Sequence, residues 1–325
     1  MRSPALAVGL AVVVAQLAVA AQGRVARHTD GRPDLTGYWT NDSFTPLERS
    51  PELGDQEFFT PDEAASFFKQ RLDRLTGQAK DDIHYDDALW QAETYGKQPN
   101  LRTSIVFDPR NGQLPPLPAD AERRDAERRQ LARRRGPADS AQSRTLGERC
   151  ISWGNVGPPM LPPTYNANFQ ILQTSEAVIL RHEMMHDTRI IYVDGRPHVG
   201  PGVRLLAGDS RASWDGDTLV VDTTNFTNET NFRGSPQTTR QDIFASDALH
   251  VVERLTVVDQ NTIRYRFTVD DPNTWTRPWS GEAMFRRWQG PIYEYACHEG
   301  NYGLANILRA ARVAESQRTP APASR

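Results

Sequence analysis

From Cys150 onward, apolar and polar residues alternate with a period of two, in short runs broken by turn-forming residues. The runs are 168–173, 176–183, 188–193, 218–226, 249–259, 262–270 and 282–288. A period of two sends successive side chains to opposite faces of a strand. Between the runs stand Asp194-Gly195-Arg196-Pro197, Asp215-Gly216-Asp217 and Asp259-Gln260-Asn261, residue types that favour tight turns. Residues 214–221 read as a hairpin centred on Gly216. Strand follows strand with almost no helical pattern between, which predicts an antiparallel meander. With a short strand within 33–40, these runs suffice to close an up-and-down β-barrel, with a β-sandwich as the alternative.

The N-terminal half has a different rhythm. Thr60-Pro61-Asp62-Glu63 combines an N-cap, a proline at the first helical position and a glutamate placed to close a capping box. Ala64, Phe67, Phe68, Leu72 and Leu75 then recur at helical spacing until Gly77. A second helix is expected over 85–95, a short strand over 101–107 and a charged helix over 119–135. The last helix spans 301–316. The expected organisation is a signal peptide at 1–20 and an N-terminal strand and helical extension at 21–147. The barrel core with its C-terminal helix covers 148–316, and a disordered tail covers 317–325.

Arg2 followed by the apolar stretch 5–20, ending in Ala18-Val19-Ala20, has the layout of a secretory signal. A periplasmic or secreted protein is therefore expected, with no integral membrane segment once the signal is removed. In that compartment the even pair Cys150 and Cys297 favours a disulfide, two unpaired buried thiols being the alternative. The net charge of −3 offers no general attraction for a polyanion. The basic block 122–135 mixes seven arginines with three acids at helical spacing, so it reads as a solvated helix and not a nucleic-acid surface.

His182-Glu183-Met184-Met185-His186 spells the H-E-x-x-H string of zinc peptidases, which works when a helix puts both imidazoles on one face. Here the flanks 177–180 and 189–193 are apolar and β-branched, which places the string at a hairpin turn. No metal site is assigned. Glycine-rich phosphate loops, a nucleophile elbow and Cys-x-x-Cys are all lacking, so no cofactor is expected.

The remaining candidates are polar groups near strand ends. Glu183, His186 and His298 are the candidate acid–base groups, because partial burial and pairing bring such side chains toward neutrality. On this reading Glu183 is the inward carboxyl of its strand. Arg189, Glu253, Trp279 and Tyr295 are candidate ligand contacts, within a late aromatic cluster that also holds Trp275, Trp288 and Tyr293. The expected function is a small-molecule-binding barrel for a hydrophobic, aromatic or glycan-like ligand. Cofactor-free acid–base chemistry (a lyase, isomerase or hydrolase) is the enzymatic form of that expectation. The alternatives are a zinc hydrolase using the 182–186 string and a non-catalytic envelope scaffold.

Several strings also carry a resemblance. They are 33–39, Asp194-Gly195-Arg196-Pro197-His198, Gly208-Asp209-Ser210, the long string Trp214–Phe226 and Tyr293–Tyr302. Together they resemble a large family of exported, mostly uncharacterised bacterial proteins with a W-x-G-D-T-L-V-V-D-T-x-N-F signature. Gly37-x-Trp39 is similar to the opening of lipocalin-like (calycin) barrels, where the tryptophan plugs one end. The resemblance implies export and a lipocalin-like β fold, and it assigns no catalytic residue.

Overall fold

Strand β9 (Thr262–Asp270) shows how the alternation becomes a wall. Ile263, Tyr265, Phe267 and Val269 are buried, while the residues between them lie toward solvent. The turn that feeds this strand is fixed locally, since Asn261 N–H donates to the Asp259 carboxylate at 2.7 Å. The computed structural model describes residues 25–76, 101–134, 136, 138–152, 157–163, 167–229 and 244–317. The expected signal peptide, the helix over 85–95 and nearly all of the C-terminal tail lie outside the described residues.

The other strands are β1 (Gly37–Thr40), β2 (Val106–Asp108), β3 (Asn168–Gln173), β4 (Ala177–His182), β5 (Thr188–Tyr192), β6 (Asp209–Asp215), β7 (Thr218–Thr224), β8 (His250–Asp259) and β10 (Trp279–Arg287). The sheet order is β1-β3-β4-β5-β6-β7-β8-β9-β10, and β1 pairs again with β10, so nine strands close into a barrel. Strand β2 adds a tenth, laid on β10 through Asp108 and Val106. Neighbours are antiparallel with one exception. Strands β5 and β6 run parallel, joined at Tyr192 and Arg211, because the crossing 193–208 carries the chain back before β6 begins. The expected meander is therefore a mixed barrel, and β6 starts well before the predicted hairpin at Trp214.

The N-terminal extension helps to build this wall. Strand β1 is the closing strand, with Trp39 set against Phe169 on one side and Arg287 on the other. The Trp39 indole is buried, donates to Leu35 O at 2.9 Å and lies under the Arg287 guanidinium at 3.9 Å.

Helices α1 (Pro61–Thr76), α2 (Ala119–Arg134) and α3 (Tyr302–Gln317) lie outside the barrel. The capping box at the start of α1 forms as its sequence predicts. Thr60 N–H donates to Glu63 Oε2 at 2.7 Å and Glu63 N–H to Thr60 Oγ1 at 3.3 Å. Helix α1 packs Phe67 on Phe59 and Phe68 on Phe44, with ring centroids 5.2 and 5.1 Å apart. Helix α3 buries none of its residues. It is held by Arg312, which donates to the carbonyls of Asp139 and Ala138, and by its neighbour Asn301, which donates to Glu148 O. The Cys150–Cys297 disulfide joins the same two regions, with Cα atoms 5.7 Å apart, as the cysteine count predicts.

The apolar core lies on the inner face of the barrel. Phe169, Phe285 and Tyr265 form a continuous aromatic wall, with Phe169–Phe285 centroids at 5.0 Å and Tyr265–Phe285 at 4.8 Å. Each such side chain contributes about 1.5–3 kcal/mol through burial.

Candidate functional site in the barrel interior

One cluster of buried polar groups among the described residues breaks into this apolar interior. Arg189 stands between Thr188 and Ile190, both exposed, so the pleat of β5 sends its guanidinium inward with Ile191. Glu253 is sent inward from β8 by the same rule, between Val251 and Leu255. The two meet as a buried pair. Arg189 Nη1 donates to Glu253 Oε1 at 3.0 Å, and Nη2 contacts Oε2. The guanidinium is completed by Nε to Ser210 Oγ at 2.9 Å and Nη2 to Thr223 Oγ1 at 3.0 Å. Tyr265 OH donates to Glu253 Oε1 at 2.8 Å and accepts Met160 N–H at 2.9 Å. A buried ion pair persists only when its remaining donors and acceptors are satisfied, and these partners do that.

Beside this network lies His182, the last residue of β4, which faces the interior with Val178 and Leu180. Its ring stacks on Phe169 at a centroid distance of 5.4 Å, and it is 3 % exposed. Its Nε2 has no hydrogen-bond partner. Burial, with the Arg189 charge adding to it, lowers the His182 pKa to about 3, so the ring is a neutral imidazole across the physiological range. Burial, followed by the Glu253 charge, pushes the Tyr265 phenol well above its usual value. The interior therefore offers fixed hydrogen-bonding groups, and neither of these two exchanges protons near neutrality.

The predicted site residues divide into groups. Arg189 and Glu253 come together in the interior. Trp279 is buried in the core, edge-on to Trp275 and Phe267 at 5.7 and 5.6 Å. Glu183, His186 and Tyr295 meet at the barrel end. Glu183 Oε2 accepts Tyr293 N–H at 3.0 Å, and His186 Nδ1 lies 2.9 Å from Tyr295 O. His298 is exposed, as is His186, so Glu183, His186 and His298 do not converge inside the barrel as expected. The physical reason is that β4 ends at His182. Glu183 has left the strand in helical backbone, and Met185 and His186 take positive φ values of 62° and 43° that turn the chain outward. The H-E-x-x-H string thus lies on a strand end and a turn, as its flanks predict, with one imidazole inside the barrel and the other outside. Among the described residues, no group of three or more His, Cys, Asp or Glu side chains is arranged to hold a metal ion.

Sequence reasoning missed Tyr265, Ser210 and Thr223, and it gave His182 a role only in the zinc alternative. The alternation carried the signal for both His182 and Tyr265. His182 shares the face of Val178 and Leu180, and Tyr265 the face of Ile263 and Phe267. Compared with known proteins, the chain matches no protein-family model, no curated protein and no solved structure.

Proposed function

We propose that this chain is an exported protein that binds a small, flat, largely apolar molecule inside the barrel, at the end where β4 finishes. The observation that carries the reading is the partnerless Nε2 of His182. A buried polar atom without a partner carries a desolvation penalty of about 1–3 kcal/mol, which a ligand hydroxyl or N–H group removes by bonding to it. The surroundings support the class of ligand. Phe169, Phe285 and Tyr265 offer aromatic faces, and the Arg189–Glu253 pair sets a polar pole beside them. Export is supported by the Cys150–Cys297 disulfide, and no helix among the described residues is long and apolar enough to cross a membrane.

Binding is favoured over acid–base catalysis because His182 and Tyr265 hold their neutral forms near pH 7. The test is fluorescence titration with N-phenyl-1-naphthylamine, an uncharged flat probe with one N–H group. Saturable enhancement in the wild type, weakened about tenfold in His182→Phe, is expected from the loss of one buried hydrogen bond. Equal titration curves for the two proteins reject the reading.

A further inference from the structure

Among the described residues three arginines are buried, and two of them have carboxylate partners. Arg189 pairs with Glu253 and Arg102 with Glu57. Arg49 is the most buried of the three, at 1 % exposed, and no carboxylate lies within ion-pair distance of it among the described residues. Its Nε donates to Thr103 Oγ1 at 2.9 Å, and its Nη1 to the carbonyls of Gly54 and Arg110, both at 3.0 Å. Its Nη2 has no partner and is screened from water. The side chain is also held in place from behind. Gly112 packs so closely that a Cβ there would sit 2.8 Å from Arg49 Cβ, so only glycine lets the two segments approach.

Arg49 is among the residues lining a cavity of 440 Å³ outside the barrel, between residues 46–53 and the face of α1 that carries Phe67, Gln70 and Arg71. Phe59 and Phe67 supply an aromatic wall, and Arg71 lies over the Phe67 ring at 5.4 Å. The acids in the lining are placed apart from Arg49. Glu48 Oε1 is engaged by Leu114 N–H at 3.0 Å, and Glu52 is exposed at the rim. Glu57 and Asp55 act on this guanidinium by their charge without touching it, and an arriving carboxylate supplies a contacting counter-charge and the hydrogen-bond acceptor that Nη2 lacks. We propose that this cavity is a second ligand site, taking a small carboxylic acid with an aromatic or branched apolar body, its acid group bound by Arg49 and its body against Phe59 and Phe67. The site is separate from the barrel interior and stands without the reading given above.

Calorimetric titration of the purified protein with benzoate tests this, with benzamide as the uncharged isostere and inorganic phosphate as the anion without an apolar body. Benzoate is expected to bind saturably, and benzamide about tenfold or more weakly, as loss of a charged hydrogen bond requires. Phosphate is expected to give no saturable heat. Gln70→Trp, on the exposed face of α1 at the cavity wall, fills the space without touching the Arg49 hydrogen bonds. It should remove benzoate binding at unchanged melting temperature, whereas His182→Phe should leave benzoate binding intact. Arg49→Gln should also remove it, and if that variant does not fold, the Gln70→Trp result decides. The proposal is overturned by no benzoate binding up to ~10 mM, the regime of negligible affinity. Equal binding of benzamide or phosphate overturns it too, as does benzoate binding that survives Gln70→Trp.

Discussion

Arg189 on β5 and Glu253 on β8 are hydrogen-bonded inside the barrel with Nη1 to Oε1 at 3.0 Å, although their strands are not neighbours in the sheet. The pair spans the interior and ties two sectors of the wall together. Removing one partner leaves the other as an uncompensated buried charge. Arg189→Met and Glu253→Leu should each destabilise the fold by about 3–5 kcal/mol. The double variant should recover most of that loss, because well-packed apolar side chains replace a buried pair at little net expense. Urea denaturation of the four proteins in a double-mutant cycle gives the answer.

His182 should dominate part of the acid sensitivity of the fold. An unfolded histidine takes up a proton near pH 6.5, whereas the native ring, desolvated and near Arg189, does so only at about pH 3. The unfolded state therefore binds the extra proton in this window. The stability contribution is fully present above pH 6.5 and is lost as pH falls toward 3, at about 1.4 kcal/mol per pH unit. His182→Phe keeps the stacking on Phe169 and should flatten that acid limb by about one proton. Chemical denaturation at pH 7, 5 and 4 measures it, and an unchanged slope contradicts the buried neutral ring.

The segment after β10 is fastened by the disulfide, by Glu183 to Tyr293 N–H, by His186 to Tyr295 O and by Asn301 to Glu148 O. Reduction of Cys150–Cys297, which closes a sequence separation of 147, should cost about 4–5 kcal/mol on chain-entropy grounds. Glu183→Ala removes one acceptor and should cost about 1 kcal/mol. Hydrogen exchange separates the two effects. The Tyr293 amide should exchange faster in Glu183→Ala with the β3 and β9 amides unchanged, while reduction should loosen residues 293–301 together.

Gly281 on β10 faces the Phe267 ring so closely that a Cβ would meet its carbons at 2.3, 2.8 and 3.0 Å. Gly281→Ala should therefore force the ring aside and destabilise the protein by about 1–3 kcal/mol. The Phe267→Leu background should absorb much of the clash. Thermal melts of the single and double variants test this coupling.

How far the sequence revealed all this depends on where period two holds. Strands β3 and β9 match their predicted ranges because both alternate cleanly between turn residues. The same alternation pointed to His182 as the inward group of β4, but Glu183 was preferred as the inward carboxyl. Its burial is real, yet it comes from the turn after the strand and not from the pleat. His298 was legible as a chemical type but not as a position, since no periodicity governs an irregular segment fixed by a disulfide. The polar partners Ser210 and Thr223 were illegible, because a short hydroxyl side chain is equally at home on either face of a strand until its neighbour across the barrel is known. The N-terminal strand β1 was read correctly as a strand, but its closing role depends on contacts with β3 and β10 that are far away in sequence.

The parallel joint between β5 and β6 gives the barrel a seam. Unrolled, the nine strands form one antiparallel ribbon whose two borders are β5 and β6, consecutive along the chain yet at opposite margins of the sheet. Rolling the ribbon brings those margins together through one register pair, Tyr192 with Arg211. Guanidinium groups clasp the junction, Arg196 at 3.7 Å and Arg211 at 5.3 Å from the Tyr192 ring centroid. A barrel has no free strand border only while it stays shut. Parting this zip would return two unpaired borders to solvent, with exposed Ile190 on one of them, ready to add a strand from another chain. Protection against self-association in this fold thus rests on this outer clasp together with the buried Arg189–Ser210 hydrogen bond across the same seam.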